Sequence, residues 1–181
     1  MKGGRAAYNF SILNAGYYLV SALVSAPNDG QNSFYVNIDA EPTDPLMIWD
    51  VPVGTRPANR TVSWRGNDPA DAGSPQYSPK LFLLAAGTHQ LIIRGREPNT
   101  MLGTISITAA PPRLQIHTSG HGTVTLIGTG QAGRTYNIQC SQNSKAWTVI
   151  GTVTMSPRGT ITFSDSAANT RPSSMYRLQG Q

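Results

Sequence analysis

Residues 81–108, LFLLAAGTHQLIIRGREPNTMLGTISIT, decide the fold class of this chain. Apolar side chains recur at Phe82 and Leu84, at Leu91 and Ile93, and at Leu102, Ile105 and Ile107, close to the two-residue period of a half-buried strand. Ala86-Gly87-Thr88 and Glu97-Pro98-Asn99-Thr100 interrupt these runs with residues that favour turns. The stretch reads as strand, Gly turn, strand, polar loop, strand at the edge of a β-sandwich.

The rest of the 181 residues agrees with that reading. With 18 Gly, 13 Pro, abundant Thr and Ser and only 13% charged residues, the chain has the composition of short strands joined by many turns. No 3.6-residue apolar periodicity lasts beyond a turn or two, so an all-β fold is expected. Residues 16–24 read as a strand leaving a Gly turn, with Tyr17, Leu19, Ala22 and Val24 as its apolar positions and a bulge near Ser21 repairing their alternation. Phe34, Val36 and Ile38 alternate inward in the next strand, and residues 46–50 and 60–64 form shorter ones. RGNDPADAGSPQYS, residues 65–78, is too polar and too rich in Gly and Pro for anything but a long loop, where a rigid sandwich usually carries its binding residues.

Charge divides the chain in two. Residues 1–110 hold eight Lys and Arg against eight Asp and Glu, whereas residues 111–181 hold six against Asp165 alone and carry the whole net charge of +5. The break coincides with Ala109-Ala110-Pro111-Pro112, a short stiff linker, so domains of residues 1–110 and 111–181 are expected. Arg113, Arg134, Lys145, Arg158, Arg171 and Arg177 are spaced singly, without a basic run or aromatic interleaving, which argues against a nucleic-acid partner. The single Cys140 excludes an internal disulfide, and its place in Tyr136-Asn137-Ile138-Gln139-Cys140 puts it on the side of Tyr136 and Ile138 as a buried thiol. No run is long enough to be a membrane-spanning helix. The start, MKGGRAAYNF, has no apolar leader, which leaves a cytoplasmic chain or the interior of a secreted polypeptide behind an added Met.

Several short motifs now line up: Ala15-Gly16-x-Tyr18, Asn32-Ser33-Phe34-Tyr35-x-x-x-Asp39, Ile48-Trp49, Ala86-Gly87-x-His89-x-Leu91 and Arg94-Gly95-Arg96-Glu97. In order and spacing this first part resembles the malectin-like carbohydrate-binding modules grouped around families 6 and 35. The resemblance implies a jelly-roll β-sandwich that binds a polysaccharide or glycan as a non-catalytic accessory module of a larger secreted protein. Two departures matter: Gly103 stands where those modules place an Asp before the last strand, and their acidic first strand is missing. The first departure argues against their structural calcium, although Asp29, Asp39, Asp44, Asp50, Asp68 and Asp71 could build a replacement; no other cofactor is implied. The second leaves a sheet edge to be covered by residues 3–9 or by a neighbouring chain.

Sugar recognition needs flat apolar faces for C–H surfaces and hydrogen-bonding groups for hydroxyls. Trp49, Trp64 and Tyr77 are the candidate platforms, with core-plugging as the competing role of the two tryptophans. Asn28, Asn32, Asn67, Arg96, Glu97 and Asn99 are candidate polar contacts, and Arg96 with Glu97 reads equally as an internal ion pair holding its loop. In a sandwich, the loop before Lys80 and the loop after Arg96 fall at the same end, so Trp64, Tyr77, Glu97 and Asn99 are expected around one cleft.

Beyond the linker, strands are expected at residues 114–116, 124–127, 135–140, 147–153, 160–163 and 175–178, with Gly103, Gly122, Gly151 and Gly159 marking strand entries. The run Ala132-Gly133-x-Thr135-Tyr136-x-Ile138-Gln139, then Trp147-x-x-Ile150-Gly151, Phe163-x-Asp165 and Met175-Tyr176-Arg177-Leu178 resembles the small fibronectin-III-like C-terminal modules of large secreted planctomycete- and verrucomicrobium-type proteins. That resemblance implies a spacer or attachment unit with Trp147 and Tyr176 in its core, and a secreted or cell-surface location. An enzyme is not expected: His89, His117 and His121 lie outside any metal-ligand motif, and no nucleophile, phosphate-loop or dinucleotide signature is present. The alternative to glycan binding is a structural or adhesive surface module without a small ligand.

Overall fold

Extended segments dominate the computed structural model, which describes residues 3–66, 75–118 and 123–181. Most of the 65–78 loop, with Asn67, Asp68 and Asp71, lies outside the described residues, as does His121. The backbone divides into two units. The first comprises Met1–Leu13, Tyr18–Phe82 and Ala86–Thr108; the second comprises Asn14–Tyr17, Leu83–Ala85 and Ala109–Gln181.

Residues before the Pro pair form eight strands: β1 (Arg5–Ile12), β2 (Gly16–Ala26), β3 (Ser33–Ile38), β4 (Ile48–Asp50), β5 (Gly54–Thr61), β6 (Phe82–Leu84), β7 (Gly87–Gly95) and β8 (Met101–Ala109). They make two four-stranded sheets. One has the order β1-β7-β3-β4, and in the other β2 pairs with β5, β6 and β8. β3 lies between β7 and β4 and is buried along its whole length, so its Phe34, Val36 and Ile38 alternation is embedded in a run of six buried residues. Tyr8, Phe10 and Leu91 of the first sheet and Ile105 and Ile107 of the second line one apolar cleft, the mark of facing sheets.

Two expectations change here. In β2 the inward residues are Tyr18, Val20, Ala22 and Val24, not Tyr17 and Leu19, and the register irregularity falls between Val24 and Ala26 rather than at Ser21. The sheet edge, by contrast, is covered by the chain's own N-terminal residues, the first of the two expected covers, over a stretch that runs on to Ile12: β1 lies antiparallel along β7 from Arg5 opposite Arg94 to Ile12 opposite Gly87. Gly103 and Gly151 sit inside strands instead of opening them. At Gly151 a Cβ would come within 2.4 Å of the Phe163 ring, so close packing explains that glycine.

After the Pro pair come β9 (Arg113–Thr118), β10 (Val124–Thr129), β11 (Thr135–Ser141), β12 (Thr148–Thr154), β13 (Thr160–Asp165) and β14 (Met175–Gly180), within a few residues of the expected runs. Two three-stranded antiparallel sheets result, β13-β10-β9 and β12-β11-β14. Leu126, Tyr136, Ile138, Met155 and Ile161, from both sheets and the turn after β12, form one core, with Leu114, Val153, Phe163, Tyr176 and Leu178 packed against it. Cys140 is buried as a free thiol. The chain is thus all-β and sandwich-like. No helix among the described residues is long and apolar enough to cross a membrane.

Trp147 is not the core residue expected of it. It lies half-buried outside the core cluster, its indole N–H donating to Ser144 O at 3.0 Å and its ring 4.2 Å from the Arg177 guanidinium. Tyr176 does pack on the core, and its hydroxyl donates to Asp165 at 2.9 Å.

Candidate functional site

Tyr77 closes a short 3-10 turn, Pro75–Tyr77, between β5 and β6. Hydrogen bonds tie this turn to the chain leaving β5: Ser63 Oγ donates to Gln76 O, Ser63 and Pro79 form an isolated bridge, and Lys80 N donates to Val62 O at 2.8 Å. The aromatic ring, 44% exposed, is therefore carried on anchored backbone.

Two polar cavities meet at that ring. One, of about 400 Å3, is lined by Asp29, Asn32, Asp50, Arg65, Gln76 and Tyr77. The other, of about 280 Å3, is lined on its polar side by Asp50, Asn59, Arg60, Thr61, Ser63 and Tyr77. Asp50, at the end of β4, is buried and accepts two hydrogen bonds from Arg65, at 2.6 and 2.7 Å. Such a bidentate pair fixes the guanidinium plane beside the ring.

Behind Asn32 lies a second polar knot. Asn32 N donates to Glu97 Oε2 at 2.8 Å, and its side-chain amide nitrogen, oriented by the acceptors around it, faces Asp29 O and Glu97 Oε2 at 3.1 and 3.2 Å. Arg96 pairs with Glu97 and donates to the fully buried Ser33 Oγ at 2.7 Å. Burial opposes ionisation of Glu97, but the Asn32 N–H, Ser33 and Arg96 outweigh it and hold the carboxyl below its ordinary range. Arg96 and Glu97 thus hold the loop after β7 against the start of β3.

The other sequence candidates separate. Asn99, exposed and in the left-handed region at φ 59°, donates to Gln31 Oε1 at 3.2 Å. Asn28 caps its own turn by accepting from Gly30 N at 3.0 Å. Trp49 borders the second cavity, but at 1% exposed and packed on Phe34 it backs that cavity from the core and offers no open stacking face. Trp64 donates its indole N–H to Val36 O at 2.8 Å, meets Phe82 edge-on and lies under Lys80 Nζ at 4.2 Å, so it lines neither cavity. Burial pushes the Lys80 ammonium below its ordinary pKa.

Arg65, Gln76, Asn59, Arg60, Thr61 and Ser63 are lining residues that sequence reasoning did not select, and Asp29 and Asp50 entered it only as possible calcium ligands. The available signal is that Asp50 and Arg65 directly follow the two tryptophans at strand ends, with opposite charges. Asp39 and His89, both in the motifs quoted above, meet as Oδ2 and Nδ1 at 2.6 Å. Asp39, at φ 62°, closes β3, and its other carboxylate oxygen accepts from Gln90 N at 2.9 Å. Against the cost of its burial, the His89 and Gln90 hydrogen bonds and the His89 charge keep Asp39 below its ordinary range. No group of three His, Cys, Asp or Glu side chains among the described residues is placed to hold a metal ion. No protein-family model matches this chain, and no curated protein is found similar to it.

Proposed function

We propose that the first unit is a non-catalytic carbohydrate-binding module of a secreted or cell-surface protein, with the jelly-roll arrangement of that class. The observation that carries this reading is the Tyr77 ring, exposed on an anchored turn and flanked by two polar cavities that share it with Asp50. A sugar ring stacks its C–H face on such an aromatic, while carboxylate, guanidinium and amide groups beside it serve the hydroxyls as donors and acceptors. Because Asp50, Arg65 and Glu97 are already held by partners, the site is pre-formed and its occupation costs little ordering entropy.

Affinity gel electrophoresis of the whole chain through a panel of neutral polysaccharides, with and without calcium, tests this reading. Retardation by at least one polymer, reduced in Tyr77→Ala by the equivalent of about 1–3 kcal/mol at unchanged melting temperature, is the expected result. Free migration through every polymer would leave a structural or adhesive module in its place.

A further inference from the structure

The outward face of the sheet β12-β11-β14 has no part in the Tyr77 site. Strand register lays rungs across it: Val149, Gln139 and Arg177, then Thr152, Asn137 and Gln179, then Thr154 and Thr135, whose carbonyl accepts from Gln181 N. Their neighbours in alternation, Tyr136, Ile138, Val153 and Leu178, belong to the core cluster or pack on it, which turns these rungs outward, with Val149, Thr152, Arg177 and Gln179 exposed and Gln139 buried between its two strand neighbours. The side chains form two hydrogen-bonded groups. Arg177 Nε donates to Gln139 Oε1 at 2.7 Å, Gln139 Nε2 donates to Gln179 Oε1, and Thr152 Oγ1 and Gln181 Nε2 donate to Asn137 Oδ1 at 3.0 and 2.9 Å. Val149 and Met175, 49% and 38% exposed, add apolar surface beside Arg177.

Arg177 differs from the arginines that face carboxylates. Arg5, Arg65, Arg94, Arg96 and Arg171 each sit in an ion pair, and none of the ion pairs among the described residues includes Arg177. It is oriented instead by a neutral amide and by the Trp147 ring. Among the described residues no carboxylate pairs with its charge, and its Nε is fixed on Gln139, which orients the two terminal amino groups of the fork for a partner. Asp165, the one acid of residues 111–181, is buried and tied to Arg171. Lys145 lies on the loop that holds Trp147.

The geometry points to a binding face for a carboxylate-bearing polysaccharide on β12, β11 and β14, with Arg177 receiving the carboxylate. A planar guanidinium fork matches a carboxylate with two parallel hydrogen bonds. The amide and hydroxyl rungs both donate and accept, as sugar hydroxyls do. A nucleic-acid backbone offers a row of charged acceptors and rewards a row of cations, whereas these rungs carry one.

Calorimetric titration of the whole chain with polygalacturonate, neutral dextran and duplex DNA, at low and at physiological ionic strength, tests the assignment. Polygalacturonate is expected to bind in preference to dextran and DNA, more weakly as salt rises. Arg177→Gln is expected to reduce that affinity about tenfold, the value of a charge-assisted hydrogen bond, and Arg177→Lys by an intermediate factor because it keeps the charge and loses the fork. Tyr77→Ala is expected to leave polygalacturonate binding unchanged, which separates this face from the first site. Nuclear magnetic resonance on the unmodified chain supplies a readout independent of any variant: the Gln139 and Gln179 side-chain amides and the Trp147 indole N–H shift with an oligogalacturonate and stay still with a neutral oligosaccharide. Absence of polygalacturonate binding, an unchanged affinity in Arg177→Gln, or DNA binding tighter than polygalacturonate with the same Arg177 dependence would overturn the assignment.

Discussion

In the first unit Arg5 and Arg94 share Glu41, Arg65 pairs with Asp50, and Arg96 pairs with Glu97; in the second, Arg171 pairs with Asp165 while Arg177 rests on Gln139 and Trp147. The difference separates two uses of the same side chain. Where a carboxylate faces it, the guanidinium ties a loop or strand end to its neighbour, and the pair adds little net charge for a partner. Where amides and a ring face it, orientation is obtained without neutralisation, and the charge stays available.

The largest expected effect on this comparison comes from the core beneath the first site. Trp49→Ala should destabilise the first unit by about 3–5 kcal/mol, the usual cost of emptying a buried tryptophan position. Calorimetry would show it as a lowered melting transition, and a near-normal transition would return Trp49 to the list of surface platforms. Next comes the buried ion pair of the second unit. Arg171→Gln leaves the Asp165 carboxylate buried without its cation, at a cost of about 3 kcal/mol. A loss under about 1 kcal/mol would show instead that this pair behaves as a surface pair.

Acid should expose the loop-holding role of the first unit's carboxylates. Glu97 and Asp39 titrate below their ordinary values in the folded chain, so their contribution is complete above the unfolded values near pH 4 and is lost as the pH falls through the folded ones. Melting temperature should therefore fall below about pH 4. Glu97→Gln should start lower at neutral pH and fall less steeply, and parallel pH curves for the two proteins would remove Glu97 from the account. The smallest effect belongs to Arg177→Gln, which should change stability by less than about 0.5 kcal/mol because the residue is exposed and leaves no buried charge behind. A larger loss would mean that Arg177 is a structural clamp, like Arg171.

Strand positions were legible wherever apolar and polar residues alternate. The second unit's strands follow the Thr, Val and Ile pattern closely, and Cys140 falls on the side of Tyr136 and Ile138 as the alternation requires. In β2 the legibility fails at Tyr17-Tyr18-Leu19-Val20, four apolar residues in a row that carry no period, and only sheet pairing decides that Tyr18 and Val20 face inward. Trp147 escapes the pattern for a related reason. A tryptophan entering a strand can fill a core or cover a face, and the choice here rests on Arg177, brought alongside by the pairing of both neighbours with β11. Tyr77 was readable as an exposed ring from its polar surroundings. The Asp50–Arg65 pair was not, because its members are fifteen residues apart in the chain and are joined by how the segment after β5 returns toward β4.

Two separate glycan-contact surfaces on one chain, as proposed, are resolved by a crossed titration. The unmodified chain, Tyr77→Ala and Arg177→Gln would each be titrated with a neutral polysaccharide that the unmodified chain retains and with polygalacturonate. Weaker binding of the neutral polymer in Tyr77→Ala alone and of polygalacturonate in Arg177→Gln alone is the expected result. Equal weakening of both polymers by either substitution, or no effect of either, would contradict it.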